Sequence, residues 1–288
     1  MDRKTLLILT ALLAAGCSSK PRVVVASKNF TESVLIGEIV AQHLERRNIG
    51  LEVDRKLNLG GTLLAHEALR NGSIHLFPEY TGTALTAVLK KPVLKDAKAV
   101  LDQVRDAYRP WGLDWLPPLG FNNSFAMVVR TPDAREQNLK TMSDAARRAA
   151  PWRLGVGYEF TQRPDGLAGL VQSYGLRIDG QPISMDLGLL YQALSAKKAD
   201  MVSASATDGM LSRPEFAVLE DDRRYFPPYE CALVVRRDIL DQNPKLRAAL
   251  EELSGRFPEQ TMRRLNAAVD VDHRPLTDVA REFLNQWK

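Results

Sequence analysis

Apolar residues along the chain follow two rhythms in alternation. Val23-Val24-Val25-Ala26 is an unbroken apolar run of strand length. It leads into the polar stretch Ser27-Lys28-Asn29, after which Asn29 or Thr31 is placed to cap a helix. In that helix Leu35, Ile36, Ile39, Val40 and Leu44 recur every three to four residues, with Glu38, Gln42, Glu45 and Arg46 on the opposite side. Leu51 to Leu57 predicts a second strand, and Gly60-Gly61-Thr62 opens a helix that Asn71-Gly72 stops ahead of the short run Ile74 to Phe77. Strand alternating with helix implies an α/β fold with a parallel-rich sheet flanked by helices on both faces. Ligands of such sheets meet the loops at the carboxyl ends of the strands, where Lys28 and Tyr80 fall.

Two segments about a hundred residues apart resemble each other: Phe125-Ala126-Met127-Val128-Val129-Arg130 and Cys231-Ala232-Leu233-Val234-Val235-Arg236. They read as paired crossover strands through which the chain leaves one lobe and later returns; two ordinary core strands would look much the same. A length of 288 residues suits two lobes at roughly 150 residues per domain. The crossing then divides the chain into residues 22–123 plus 230–288 as one lobe and 124–229 as the other, with any ligand in the cleft between them.

The first residues have a separate logic. Arg3 and Lys4 precede the apolar stretch Thr5 to Ala15, and Ala14-Ala15-Gly16-Cys17 follows. That is the pattern of a signal peptide, residues 1–16, and it is too short to span a bilayer, which takes about 20 apolar residues. A cysteine directly after Ala-Ala-Gly resembles a bacterial lipobox, which implies lipidation of Cys17, a linker over 17–22 and an exported, membrane-anchored protein in the periplasm or at the cell surface. A cleaved signal peptide with an incidental cysteine is the alternative. Cys231, in an apolar run, reads as a buried, inert thiol.

Composition excludes several classes. Hydrophobic residues make up 45% and charged residues 26%, an ordinary globular balance, and the net charge of +4 is spread without a dense basic run. Nucleic-acid binding, which needs concentrated Lys and Arg, is not indicated. His43, His66, His75 and His273 fall at no metal-ligand spacing, and no cofactor is expected. Gly155-Val156-Gly157 lacks the third glycine of a dinucleotide fingerprint. No phosphate-cradling glycine loop or nucleophile elbow appears, so nothing asks for an enzyme.

Seven motifs occur in order over some 200 residues: Ser27-Lys28-Asn29-Phe30-Thr31-Glu32; Leu59-Gly60-Gly61-Thr62 with His66-Glu67-Ala68-Leu69; Pro78-Glu79-Tyr80-Thr81-Gly82-Thr83; Leu119-Gly120-Phe121-Asn122-Asn123; Arg163-Pro164-Asp165-Gly166; Ala206-Thr207-Asp208-Gly209; and Phe226-Pro227-Pro228-Tyr229. Together they make the chain resemble the extracytoplasmic substrate-binding proteins of ABC importers for quaternary amines such as glycine betaine, choline and carnitine. The resemblance implies a two-lobed periplasmic-binding-protein fold of type II and a monomeric, non-enzymatic receptor. It also implies a small quaternary-ammonium ligand, and partnership with an ABC permease and its cytoplasmic ATPase.

The ligand's chemistry explains the residue types. A trimethylammonium group carries no N–H and must be held by aromatic faces, each contact contributing roughly 0.5–2 kcal/mol. A betaine's carboxylate instead needs fixed donors. The resemblance places Tyr80 and Tyr229 at cage positions and Lys28, Thr83 and Arg163 at carboxylate positions. A third cage position carries Phe125, after Asn123-Ser124, and a fourth carries Ser205, which supplies no ring. Losing that wall costs about 1–2 kcal/mol for a small betaine, or admits a bulkier one, such as ergothioneine, hydrogen-bonded to Ser203, Ser205, Asn122 or Asn123. Bland readings stand beside these: tyrosines packed with wet hydroxyls, Glu79 merely exposed, Arg163 paired with Asp165 on the surface. A two-lobed solute sensor is the other function such a module could serve.

Overall fold

The computed structural model describes residues 21–287. Cys17 and the signal-like segment lie outside the described residues. The described chain forms two five-stranded mixed sheets flanked by helices.

The first sheet takes β1 (Arg22–Ala26), β2 (Glu52–Lys56), β3 (Leu76–Tyr80) and β4 (Leu113–Trp115) from the first part of the chain and β10 (Cys231–Arg236) from the last, in the order β2-β1-β3-β10-β4. The second takes β5 (Phe125–Arg130), β6 (Leu154–Gly157), β7 (Ile183–Met185), β8 (Met201–Ser205) and β9 (Phe216–Leu219), in the order β7-β6-β8-β5-β9. In each, the first three strands run parallel and the other two pairings are antiparallel. The alternation read from the sequence therefore yields mixed sheets, because β5 and β10 each enter from the other half and so run against the strands they join.

β5 and β10, the two similar segments, occupy equivalent places in the two sheets and pair with each other nowhere. The passage between sheets runs just ahead of each of them. There an Asn122–Glu230 bridge and the bond from Asn123 N–H to the Tyr229 carbonyl, 3.1 Å, tie the two passing segments together.

The apolar run of β1 is buried on both faces: Val23 and Val25 lie under helix α1 (Thr31–Arg47), Val24 and Ala26 in the core on the other side. Leu35, Ile36, Ile39, Val40 and Leu44 are the buried stripe of α1, as their spacing predicts. The expected side-chain cap is absent. Phe30 holds the cap position; the Thr31 hydroxyl donates instead to Asp270 at 2.6 Å, and Ser33 Oγ accepts from the Lys28 N–H at 2.9 Å. Helix α2 (Thr62–Arg70) begins where Gly60-Gly61-Thr62 predicted.

β3 outruns its predicted end at Phe77 and continues through Pro78 to Tyr80. β1 meets it only at Val25–Leu76, so past that point the β1 side of β3 is an open edge, where a missing proline N–H costs nothing. The N–H of Tyr80, which faces the same way, is satisfied by Glu79 Oε1 at 2.6 Å. That strand extension is what carries Glu79 and Tyr80 to the end of the sheet.

Candidate functional site

The loops after β1 and β3 and the segments 160–166 and 226–229 lie at the junction between the two halves. Lys28 follows β1, and its Nζ lies 2.6 Å from Glu79 Oε1, both side chains almost fully buried. The same ammonium sits 4.7 Å from the centroid of the Tyr80 ring and 5.7 Å from that of Phe30. Glu79 is thus a buried partner that fixes Lys28, not an exposed carboxylate.

Arg163 makes the matching arrangement from the other side. Its Nε and Nη2 donate to the two oxygens of Asp165 at 2.9 and 2.6 Å, and its Nη1 and Nη2 reach Thr83 and Thr86 across the junction at 3.0 and 3.4 Å. The guanidinium stands 5.1 Å from the Phe125 centroid and 5.6 Å from the Tyr229 centroid. Those rings meet edge to face at 5.5 Å, and Phe160 and Phe226 pack on Phe125 at 4.9 and 5.6 Å. The Tyr229 hydroxyl donates to Asp165 at 2.5 Å. Burial and the Asp165 charge lift the Tyr229 hydroxyl well above its ordinary range. The Arg163–Asp165 pair expected at the surface under the bland reading is buried, with both side chains under a tenth exposed.

Six of the eight sequence-predicted residues therefore form two groups. Phe125, Tyr229 and Thr83 all gather on Arg163. Tyr80 keeps company with Lys28, Phe30 and Phe121, the ring centroids of the last two being 6.0 and 6.4 Å away. The turn that follows Tyr80 joins the groups, because the Tyr229 ring lies directly on Gly82: a methyl group there would stand 2.6 Å from the Pro228 carbonyl oxygen and 2.7 Å from the ring. Ser205 is opposite Phe125 in the β5–β8 register and so on its face of the sheet, its N–H donating to Asp208 at 3.1 Å. The Ser203 hydroxyl is engaged by the N–H of Gly157 at 3.3 Å. Asn122 holds the N–H of Tyr229 at 2.6 Å.

Asn123 leads to a residue that sequence reasoning missed. Its amide donates to Glu32 at 2.8 Å, as do the Tyr80 hydroxyl at 2.6 Å, the Asn266 amide at 2.9 Å and the Thr207 hydroxyl. Glu32 is buried, and desolvation raises its carboxyl above the usual range against the pull of these four donors. One carboxylate thereby ties the Tyr80 ring to the passing segment, to the end of β8 and to helix α4 (Glu259–Asp270). Its position in Asn29-Phe30-Thr31-Glu32 was legible, but a glutamate in a helix's first turn is ordinary, and no local signal distinguishes it.

Both groups keep hydrogen-bond donors in reserve. Of its three N–H donors Lys28 places one on Glu79, Arg163 has one Nη1–H beyond its four bonds, and Thr83, which accepts from Arg163, keeps its hydroxyl hydrogen. Both cations already have a carboxylate each. A surface depression of about 410 Å³ elsewhere, lined by Arg105, Arg109, Asp114, Arg237 and Arg247 among others, contains none of these residues.

Residues 21–286 match the family model described as the substrate binding domain of ABC-type glycine betaine transport system. The glycine-betaine-binding protein of Pseudomonas aeruginosa is 32% identical over 99% of this chain and 94% of its own length. The ergothioneine transport permease/ergothioneine binding protein EgtU of Helicobacter pylori is 30% identical over 96% of this chain but only 49% of its own length. A crystal structure described as a glycine betaine/carnitine/choline ABC transporter superposes with a TM-score of 0.77 at 30% identity, covering 92% of this chain and 98% of the other.

Proposed function

Since the chain belongs to the family of substrate-binding domains of ABC-type glycine betaine transport systems, we propose that it captures one quaternary-ammonium solute between two lobes, residues 22–123 plus 230–288 and 124–229, and delivers it to an ABC permease. The family's proteins are extracytoplasmic solute binders of importers, and this one acts by binding, not by turnover. Lipidation at Cys17 would hold it at the membrane from which the permease works. No described helix is long and apolar enough to cross that membrane.

The observation that carries the reading is the pairing of aromatic faces with buried, carboxylate-anchored cations: Phe125 and Tyr229 around Arg163, Tyr80 around Lys28. A betaine presents a proton-free cation at one end and a carboxylate at the other. Its carboxylate would take the remaining donors of Lys28, Arg163 and Thr83, and its ammonium the ring faces of Tyr80, Phe125 and Tyr229. Because Arg163 bonds to Thr83 and Thr86 across the junction, ligand capture and lobe closure would be one event. Ser205 stands opposite Phe125, where the resemblance implies a ring, and supplies no aromatic wall. This favours a betaine with a bulkier side group as a second reading, and one relative is named for ergothioneine.

Titration calorimetry against glycine betaine, choline, carnitine and ergothioneine tests the proposal. Tyr80→Ala and Tyr229→Ala should each weaken the preferred ligand about tenfold. Unchanged affinity in both would remove the aromatic faces from the site. Delivery to a permease has support from the Helicobacter pylori relative, whose name joins permease and binding protein in one chain of which this module spans half.

A further inference from the structure

Large apolar side chains that stand exposed are few among the described residues, and they are not scattered. Leu63, Leu64, Tyr158, Ile183, Leu187 and Leu189 are all exposed, from 44% to 56%; Val218, on β9, is the remaining one. Leu63 and Leu64 lie in the first turn of α2, beside the first sheet. The others belong to the second: Tyr158 directly follows β6, Ile183 lies on the edge strand β7 beside Gly155, and Leu187 and Leu189 open helix α3 (Leu187–Ser195). Leu187 packs so closely on Gly157 that a methyl group there would stand 2.5 Å from its Cδ2.

The two sets meet. Glu159, next to Tyr158, accepts from the N–H of Thr62 at 2.7 Å and from its hydroxyl at 3.1 Å, which seats a carboxylate on the N-terminus of α2 and pins the second half to the first. Leu63 and Tyr158 adjoin that bond in sequence, one on each half, and Leu187 packs on Gly157 just ahead of Tyr158. Together the apolar side chains expose on the order of several hundred Å², the size at which an apolar patch on a soluble protein marks a binding surface. The bond between Thr62 and Glu159, the sequence neighbours of Leu63 and Tyr158, is what holds the two sets beside each other.

From this we infer that the patch is the docking surface for the extracytoplasmic face of the permease, contacted through aliphatic and aromatic loop side chains that bear on both halves at once. The inference rests on the transport reading above, and it adds which residues report closure and by what chemistry. A partner that must distinguish a closed binding protein from an open one can do so by contacting a surface assembled at closure. Apolar contact suits a partner already lying against the membrane surface. The Helicobacter pylori relative, in which the module shares its chain with a permease, makes a permease the occupant at hand.

The test uses the full-length chain in cells deleted for it, with Leu63→Glu and Leu187→Glu singly and combined. Both side chains are about half exposed and neither is among the candidate ligand residues, so folding should survive. Calorimetric affinity for glycine betaine should stay within about twofold of the unaltered chain, while uptake of radiolabelled glycine betaine falls at least about tenfold in the double variant. Uptake within about twofold of the unaltered chain would overturn the inference. So would self-association in sedimentation, or flotation with phosphatidylglycerol vesicles, that the double variant abolishes: the patch would then serve a second copy or a lipid surface. Failure of the unaltered chain to bind glycine betaine, choline, carnitine or ergothioneine would instead strike the transport reading itself, and the docking surface would fall with it.

Discussion

Glu32 illustrates how much one side chain has to hold here. Both its oxygens are occupied, by Tyr80 and Asn123 on one and Thr207 and Asn266 on the other. Glutamine has a single acceptor oxygen, and its amide would confront a pair of donors; on the Oε2 side the Asn266 amide could accept only by flipping and giving up its bond to the Thr207 carbonyl. Glu32→Gln should therefore lower stability by about 1–3 kcal/mol, read as a drop in Tm, and also weaken the ligand through the loosened Tyr80 ring. A variant with unchanged Tm would show that the four donors find other partners. Ser205 tests the opposite effect, adding rather than removing. Facing Phe125 across the strand register, Ser205→Tyr should restore a wall and improve affinity for small betaines over bulky ones by about tenfold; an unchanged order of preference in calorimetry would show that the residue does not border the ligand.

The segment from Ser205 to Ser212 acts as a connector between the halves. It packs on α4 so closely that a methyl group on Gly209 would stand 2.5 Å from the Ala267 nitrogen. Asp208 within it accepts from the Tyr191 hydroxyl at 2.9 Å and from the Ser205 N–H, and burial raises its carboxyl from 3.8 to about 6. Between those values the folded chain holds a proton that the unfolded chain has released, so stability falls as pH rises through this window and is greater on its acid side. Asp208→Asn should flatten the unfolding free energy between about pH 4 and 6, by up to about 3 kcal/mol and less where solvent reaches the side chain. A pH profile superimposable on that of the unaltered chain would refute the assignment. Gly82 is the comparable point in the turn after β3. Gly82→Ala should cost about 1–3 kcal/mol by pushing Tyr229 off its seat, measured by thermal unfolding and by loss of ligand affinity together.

In the whole molecule, the order of elements was legible because periodicity is local. The buried stripe of α1 and the doubly buried run of β1 could be read directly from residues 23–44. The likeness of Phe125–Arg130 to Cys231–Arg236 carried more than it disclosed: the two strands take equivalent places in two sheets of the same order, whereas the passage between the sheets lies just ahead of them. The antiparallel half of each sheet was illegible, since it depends on strands arriving from the far end of the chain. The same reason separates the candidate-site residues that motifs point to from those they do not. Lys28, Tyr80, Thr83, Arg163 and Tyr229 take their expected roles from motifs; Glu32 and Asp165 stand in the same motifs, yet they and Glu159 matter through partners 48 to 234 residues away or through burial, which no window of sequence displays.

The account depends on a head group that has charge but no proton to donate, held by ring faces while its carboxylate engages Lys28, Arg163 and Thr83. Glycine carries the same two charges as glycine betaine, with N–H groups in place of methyl groups, so a direct comparison isolates that claim. Calorimetry of the unaltered chain should show glycine betaine bound at least about a hundredfold more tightly than glycine, dimethylglycine falling between them. Equal affinity for the three, or preference for glycine, would contradict it.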